Sequence, residues 1–192
     1  MKICIFSHAR SGSSFLYNYL LNLYGGYGYS EIFENDKICF EEKYKFFDKE
    51  SYVVKLMAHD FLVYDFEKIP WRSFDKIYIT QRRNLADACA SNYSMINLEN
   101  NQIQPESFTI DNSWFIDWVK NYKLFLNLQK TLYEKYIITD HIFYEDISIH
   151  SIFSTASNLK TSIINYRLCC KNYNEIEKKL NKIFLDKANK VV

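Results

Sequence analysis

The chain has 192 residues, 48% of them hydrophobic and 24% charged, a composition typical of one globular domain with a sizeable core. Its formal net charge of +1 argues against general attraction to nucleic acid or to an anionic membrane, so any anion site must be local. The five cysteines form no CxxC pair and no Cys/His cluster, which disfavours a zinc site and suggests a reducing compartment.

Apolar runs with strand composition alternate with segments of helical periodicity along the chain. The predicted strands cover residues 2–6, 52–57, 75–83 and 137–147, and the predicted helices cover residues 15–24, 37–48, 85–95, 113–136 and 172–187. Residues 25–36 and 98–112 are predicted loops, the second a candidate lid. This alternation predicts a single α/β domain over residues 1–192, built as a three-layer sandwich with a mainly parallel sheet. The first apolar run is too short for a signal peptide and no run approaches the roughly 20 residues of a membrane span, so a cytoplasmic protein is expected.

Ligands of such sheets bind at the carboxyl ends of strands, which selects residues 7–14, 58–60, 81–84 and 144–146. The first place reads "FSHARSGSSFLYNYL" (residues 6–20), a strand, a short loop and a helix, which is the arrangement that holds a phosphate at a helix N-terminus. In it, Gly12 permits unusual backbone angles and Arg10 supplies a bidentate charge.

Two serines follow the glycine of this loop. Ser13 and Ser14 are expected to cap the helix and to offer hydroxyls to phosphate oxygens. A plain capped helix with a solvated arginine is the alternative interpretation. The loop lacks the first glycine and the lysine of the Walker pattern Gly-x-x-x-x-Gly-Lys-Ser/Thr, which disfavours an ATPase or a GTPase.

The other predicted strand ends also carry polar side chains, each with a structural alternative. In "QRRNLADACASNY" (residues 81–93), Arg83 sits at a strand end, and Ser91 lies more than two turns into a helix, where a serine is often a small packing residue. Lys55 falls inside an apolar strand, where an unpaired ammonium is costly, so it either snorkels or faces a ligand cleft. His59 follows that strand as a base or as a hydrogen-bonded structural residue. "FYEDI" (residues 143–147) adds an aromatic ring and two carboxylates at the last strand.

In order and separation, "RSGSSFL", "RRNLADACASNY" and "FYEDI" resemble three motifs of the sulfotransferases that use 3′-phosphoadenosine 5′-phosphosulfate (PAPS). The first looks like the 5′-phosphosulfate loop. The second is similar to the 3′-phosphate motif, which has Arg-Asn-x-x-Asp and a serine eight residues after the arginine. The third resembles a late Tyr-Glu-Asp-aliphatic segment. The resemblance implies a P-loop nucleotide-binding fold and direct in-line transfer of a sulfuryl group from PAPS to a hydroxyl, without a metal.

The resemblance also implies donor-binding roles for individual residues. The 5′-phosphosulfate would be held by Arg10, Ser11, Gly12, Ser13 and Ser14, the 3′-phosphate by Arg83 and Ser91, and the nucleotide would be touched by Tyr144. Sulfuryl transfer builds negative charge on the bridging oxygen of the leaving nucleotide, and a fixed cation such as Arg10 stabilises that charge together with helix-terminal N–H groups. His8, within the loop, is then expected to be structural.

A carboxylate or a histidine must take the proton of the acceptor hydroxyl. The cytosolic phenol and steroid sulfotransferases place a histidine in a Lys-Thr-His pattern, whereas this chain has "KLMAH", which displaces His59 from that spacing. "YSEIFEND" (residues 29–36) resembles an acidic-aromatic segment of the bacterial trehalose-type sulfotransferases. Glu31 is therefore the first candidate base, His59 the second and Glu34 the third, with a loop carboxylate of no catalytic role as the alternative for Glu31.

The chain also departs from this family. The C-terminal Arg-Lys-Gly-x-x-Gly loop of the cytosolic enzymes is absent, because Gly28 is the last glycine, so closure over the nucleotide is replaced or missing. The chain is short for such an enzyme, which leaves an acceptor site that is open or completed by another subunit of a homo-oligomer. The expected acceptor is a carbohydrate or another small molecule. A P-loop small-molecule kinase and a non-catalytic nucleotide-binding module of the same fold are the alternatives.

Overall fold

A computed structural model describes residues 1–34, 40–97, 107–147 and 166–184. In these ranges the strands and α-helices follow in the order β1 (Lys2–Ser7), α1 (Ser13–Tyr24), β2 (Tyr27–Ser30), α2 (Phe40–Lys45), β3 (Tyr52–Met57), β4 (Lys76–Gln81), α3 (Leu85–Asn97), α4 (Asn112–Lys135), β5 (Asp140–Phe143), α5 (Tyr144–Ile147), α6 (Tyr166–Cys169) and α7 (Tyr173–Phe184). Short 3₁₀ helices occupy Ile32–Glu34, Phe46–Asp48, Ala58–Leu62, Phe66–Lys68 and Trp71–Ser73. None of the helices in the described ranges is long and apolar enough to cross a membrane.

The five strands form one parallel sheet in the order β2-β3-β1-β4-β5. Two of the three inner strands, "KICIFS" and "YVVKLM", are buried at nearly every position, as expected of strands that are covered on both faces. Their register runs from Lys2 opposite Tyr52 to Ser7 opposite Met57. The predicted α/β fold with a parallel sheet is confirmed.

The chain divides into two compact units. The first unit comprises Met1–Gln81 and Lys120–Ser148, and the second comprises Arg82–Val119 and Ile149–Val192. The whole sheet belongs to the first unit. The expectation of one domain over residues 1–192 stays a prediction.

Helices cover both faces of the sheet in the first unit. Because side chains alternate along a strand, neighbouring residues of β1 point to opposite faces. On one face, helix α1 contributes to a buried apolar cluster of Ile3, Ile5, Leu16, Tyr17, Leu20 and Val53. On the other face, Phe6 stacks on Phe125 of α4 with 5.5 Å between ring centroids, and it meets Trp71 edge-on at 6.2 Å.

The second unit is helical in its described part, where α3 packs against α6 and α7. Helix α3 buries a run of small residues that allows close approach of its neighbours: Ala86, Ala88, Cys89 and Ala90. Helix α7 buries Tyr173, Ile176 and Leu180, which recur at helical spacing along one face. These apolar contacts fix the C-terminal helix beside α3.

Two segments differ from their predicted structure. Residues 25–36 were predicted as a loop, but they contain β2 and a 3₁₀ helix. Strand β2 is short and partly exposed and has a glycine at its centre, so it lacks the apolar run that marks a buried strand. The predicted strand 137–147 is also partly wrong, because the strand ends at Phe143 and Tyr144 begins a helical turn.

The remaining predicted strands and helices are confirmed to within a few residues. Three parts of the predictions lie outside the described residues. They are residues 35–39, where the predicted loop 25–36 meets the predicted helix 37–48, residues 98–106 of the candidate lid, and residues 185–187 at the end of the last predicted helix.

Candidate functional site

The loop between β1 and α1 is built on left-handed backbone. Arg10 has φ 63°, and Gly12 has φ 82° and ψ 6°. Gly12 is the N-cap of α1, and its carbonyl accepts the first two backbone hydrogen bonds of the helix at 3.1 Å each. The expected capping by Ser13 or Ser14 is therefore wrong, because these two residues already belong to the first helical turn. N–H groups of a first helical turn have no acceptor within the helix, so this geometry suits an anion.

A pair of buried hydroxyls ties the loop to the sheet. Ser11 Oγ lies 2.8 Å from Thr80 Oγ1 of β4, and both residues are buried. The chain continues from β1 to β2 and β3 on one side of the sheet, and from β4 to β5 on the other. The boundary between β1 and β4 is thus the switch point at which parallel sheets bind ligands. The side chain of Ser11 fixes the loop there, which leaves its backbone for an anion.

A buried lysine joins this loop to Glu31. The side chain of Lys55 in β3 is 3% exposed; its Nζ donates to Ser14 Oγ at 3.0 Å and forms an ion pair with the Glu31 carboxylate. Ser30 of β2 lies opposite Lys55 in the parallel register, which carries the next residue to the same edge of the sheet. Lys55 was absent from the predicted site residues. Its signal in the sequence was a charged residue inside an apolar strand, where burial requires a partner.

Two of the predicted catalytic residues have strained backbone. Among the described residues, Arg10 and Glu31, the latter with φ 72°, are the only non-glycine residues with positive φ. The left-handed conformation costs roughly 1–2 kcal/mol for an ordinary residue. Such residues persist where the surroundings impose the conformation, and they cluster at functional sites.

The two histidines near the loop differ in burial. His8 is 5% exposed, and its ring packs edge-on against Tyr122 with 5.1 Å between centroids. Burial lowers the pKa of His8 to about 3; its hydrogen bond to the Ala9 carbonyl opposes this effect and nearby His59 adds to it. His8 is therefore neutral at pH 7, as expected of a structural residue. The His59 side chain is 37% exposed, and its Nε2 lies 3.9 Å from Asp60 Oδ1 at the end of β3.

Other predicted residues of the first unit contribute less. Tyr144 is partly buried at the start of α5, and Glu34 is the last residue of the 3₁₀ helix Ile32–Glu34. Within the described ranges, no group of three or more His, Cys, Asp or Glu side chains could hold a metal ion.

The predicted 3′-phosphate motif lies in the second unit. Arg83 is exposed immediately before α3, and the Asn84 side chain caps this helix, since its Oδ1 accepts from the Asp87 N–H at 3.0 Å. Ser91 is only 3% exposed, and its Oγ accepts a hydrogen bond from the Tyr166 hydroxyl at 3.1 Å. The guanidinium of Arg83 is therefore the accessible group of this motif, whereas the Ser91 hydroxyl faces a tyrosine.

No family model, curated protein or solved structure matches the chain. Its chemistry is therefore inferred from its own side chains. The first unit provides three groups of different character at one edge of the sheet: the glycine loop at the N-terminus of α1, the Lys55 ammonium beside it and the Glu31 carboxylate. This arrangement can bind an anionic group, stabilise developing negative charge and accept a proton.

Proposed function

We propose that this protein is a sulfotransferase that moves a sulfuryl group from PAPS to a hydroxyl of a carbohydrate or another small molecule. One observation carries the proposal: Lys55 connects Ser14 of the loop to Glu31. The three residues supply the parts that direct sulfuryl transfer requires, namely an anion-binding hydroxyl, a cation and a base. The fold is then of the P-loop nucleotide-binding type, with the glycine loop after β1.

In the proposed reaction the acceptor oxygen attacks sulfur, and the bond from sulfur to the bridging oxygen of the donor breaks in line. Glu31 takes the proton of the acceptor hydroxyl, and the nucleotide leaves as adenosine 3′,5′-bisphosphate. Arg10, Lys55 and the N–H groups of the first turn of α1 stabilise the negative charge that develops on the leaving oxygen. These cations take the part that a metal plays in many phosphoryl transfers, so the proposal includes none.

Glu31 is favoured over His59 as the base because of its contacts. The ion pair with Lys55 fixes the carboxylate beside the loop, whereas His59 lies near Asp60 at the end of β3. A proton acceptor must be held within reach of the acceptor hydroxyl before its basicity matters.

The donor class is tested by thermal unfolding with adenosine 3′,5′-bisphosphate or with ATP and Mg²⁺. A ligand at 100 times its dissociation constant adds about 2.7 kcal/mol of stability, which gives a clear shift. The bisphosphate should shift the melting temperature more than ATP with Mg²⁺. The opposite order would favour a small-molecule kinase, for which Lys55 would be the lysine near the loop.

Transfer is tested with labelled PAPS and a panel of sugars and phenols. Glu31→Gln should keep bisphosphate affinity and lose rate, by about 10²–10⁴-fold for the loss of a general base. The matched control is Glu67→Gln, which removes another carboxylate paired with a lysine, Lys135, in the same unit. Bisphosphate binding without transfer to any acceptor would indicate a non-catalytic module. A fully active Glu31→Gln with an inactive His59→Ala would refute the choice of base.

A further inference from the structure

A second buried lysine of the first unit lies in helix α2. Lys43 is 4% exposed, and its Nζ donates to the Phe33 carbonyl at 2.7 Å and to the Tyr64 hydroxyl at 2.8 Å. The same Nζ lies over the Tyr64 ring, 5.1 Å from its centroid. All of these partners are uncharged. In the part of the chain that the structure describes, no carboxylate compensates the Lys43 ammonium.

The two buried lysines of this unit therefore differ in their partners. Lys55 has the carboxylate of Glu31 beside it, whereas Lys43 has only a carbonyl, a hydroxyl and a ring. Burying a charge is costly unless an opposite charge accompanies it. An ammonium also has three N–H donors, and the two hydrogen bonds of Lys43 use two of them. An anion bound beside Lys43 would supply the missing charge and the missing acceptor.

Lys43 lines a cavity of about 470 Å³ beside strand β2 and helix α2, the β2–α2 cavity. Its volume falls within the range of roughly 300–1,000 Å³ that is typical of small-molecule sites. The wall of the cavity is apolar where Tyr29, Ile32 and Phe46 line it. The rings of Tyr29 and Phe46 lie 4.3 Å apart between centroids, at 64° to each other. Such rings offer a flat apolar surface to the nonpolar face of a sugar ring.

The other charged residues of the cavity wall compensate one another. They are two lysines, Lys45 and Lys49, and two carboxylates, Glu42 and Asp48. All four are exposed or half-buried, so water screens their charges. The buried charge of Lys43 therefore determines which ligand charge the β2–α2 cavity favours, and that charge is negative.

The β2–α2 cavity adjoins the candidate base. Glu31 lies in the chain between Tyr29 and Ile32, which both line the cavity. Consecutive Cα atoms are about 3.8 Å apart, so the wall of the cavity begins one residue from Glu31. A ligand in the cavity is thus placed beside the carboxylate that takes the proton in the proposed reaction.

We propose that the β2–α2 cavity binds the acceptor, and that the acceptor is an acidic sugar whose carboxylate or sulfate group pairs with Lys43. The inference rests on the proposed function and specifies its substrate class. The sugar ring packs against Tyr29, and one of its hydroxyls reaches Glu31. A neutral sugar leaves the Lys43 ammonium uncompensated, so the cavity selects acidic sugars over neutral ones.

The test compares three sugars with the same ring and different charge. Calorimetry with the whole chain at pH 7, without donor, measures the dissociation constants of glucuronate, glucose 6-sulfate and glucose. At least one acidic sugar should bind about 10-fold more tightly than glucose, as expected of hydrogen bonds between charged groups. The tighter of the two identifies the acidic group as a carboxylate or a sulfate.

Lys43→Met should remove the preference for acidic sugars and leave the affinity for glucose unchanged. The substitution keeps the Phe33 carbonyl bonded, because the Tyr64 hydroxyl also donates to it, at 3.1 Å. The matched control is Lys76→Met. Lys76 Nζ likewise donates to a tyrosine hydroxyl, that of Tyr24 at 3.0 Å, and lies 5.0 Å from the centroid of its ring, but Lys76 does not line the cavity. Lys76→Met should change none of the three affinities.

Tyr29→Ala provides a second test that does not depend on the buried lysine. Tyr29 is half-buried in the edge strand, and its ring forms part of the cavity wall. The substitution should weaken binding of all three sugars by a similar factor. If Lys43→Met does not fold, this variant decides the question, since unchanged affinities in Tyr29→Ala would place sugar binding outside the cavity and overturn the inference.

The outcomes separate the inference from the proposed function. Equal affinities of the unaltered protein for the three sugars, or an acidic preference that survives in Lys43→Met, would overturn the inference. The proposed function would still stand if labelled sulfate is transferred from PAPS to any acceptor. If acidic sugars bind through Lys43 but none is sulfated, the proposed function is wrong, and the cavity remains a binding site for acidic sugars.

Discussion

The Glu31–Lys55 ion pair should respond asymmetrically to the loss of either partner. The Lys55 side chain is 3% exposed, whereas that of Glu31 is 34% exposed. In Glu31→Gln, the buried Lys55 ammonium loses the carboxylate that compensates its charge. We expect a loss of about 3 kcal/mol in the free energy of unfolding, the lower end of the range for removing one partner of a buried ion pair. In Lys55→Met, water can solvate the remaining carboxylate, so the expected loss is about 1–2 kcal/mol.

The double variant distinguishes an ion pair from two independent contacts. With both charges removed, no charge is left buried and uncompensated, so its stability should lie within about 1 kcal/mol of the unaltered protein. The measurement is urea unfolding of the four proteins at pH 7, with the midpoint and slope fitted for each. The control is the pair Lys135–Glu67, which is 2.9 Å long and has side chains 51% and 61% exposed. Either single substitution there should change stability by less than about 1 kcal/mol.

Two results would refute this reasoning. Additive losses in the double variant would show that the two charges do not stabilise each other. A larger loss in Lys55→Met than in Glu31→Gln would show that the lysine is not the buried partner. The same measurements show whether Glu31→Gln is folded without urea, so that any loss of transfer can be assigned to chemistry.

Two further predictions concern pH and packing. The unfolded state binds more protons than the folded state between the pKa of about 3 for folded His8 and its ordinary value of 6.5. The free energy of unfolding should therefore fall as the pH drops through this window, by about 3 kcal/mol at pH 4.5. Urea unfolding of His8→Gln should show a smaller decrease over the same pH range. If the stability of His8→Gln depends on pH as steeply as that of the unaltered protein, His8 is not the source of the decrease. Gly28→Ala should lower stability by about 1–3 kcal/mol in the same assay, because a Cβ there would lie 2.7 Å from Leu21 Cδ2; equal stability would show that α1 yields without cost.

Most of the sheet could be predicted because its central strands are continuous apolar runs between helical segments. Strand β2 could not, since it lies at the sheet edge and Gly28 interrupts its side chains. That glycine is required by packing against Tyr17 and Leu21 of α1, a tertiary constraint that no local pattern reports. This edge strand is important for the candidate site, because Glu31 directly follows it and pairs with Lys55 beside the loop.

The candidate site was predicted in part for a similar reason. Arg10 and Gly12 follow an apolar run in a short loop, so local pattern was sufficient to select them. The partner of Lys55 depends instead on register, with Ser30 opposite Lys55 and Glu31 one residue beyond. Register is set by the pairing of distant segments. The sequence therefore indicated that a buried lysine requires a partner, but it did not identify Glu31 as that partner.

The energetics of this site favour a functional origin for its charges. A buried ion pair often adds little stability compared with apolar residues of similar volume, and an apolar side chain at position 55 would suit the strand around it. Left-handed backbone at Arg10 and Glu31 adds a further cost of roughly 1–2 kcal/mol at each residue. Folding alone therefore gives no reason to combine a buried lysine, a strained carboxylate and a strained arginine at one end of the sheet. The proposed binding and turnover of an anionic donor would give such a reason, because the charges must already be in position when the transferred group arrives.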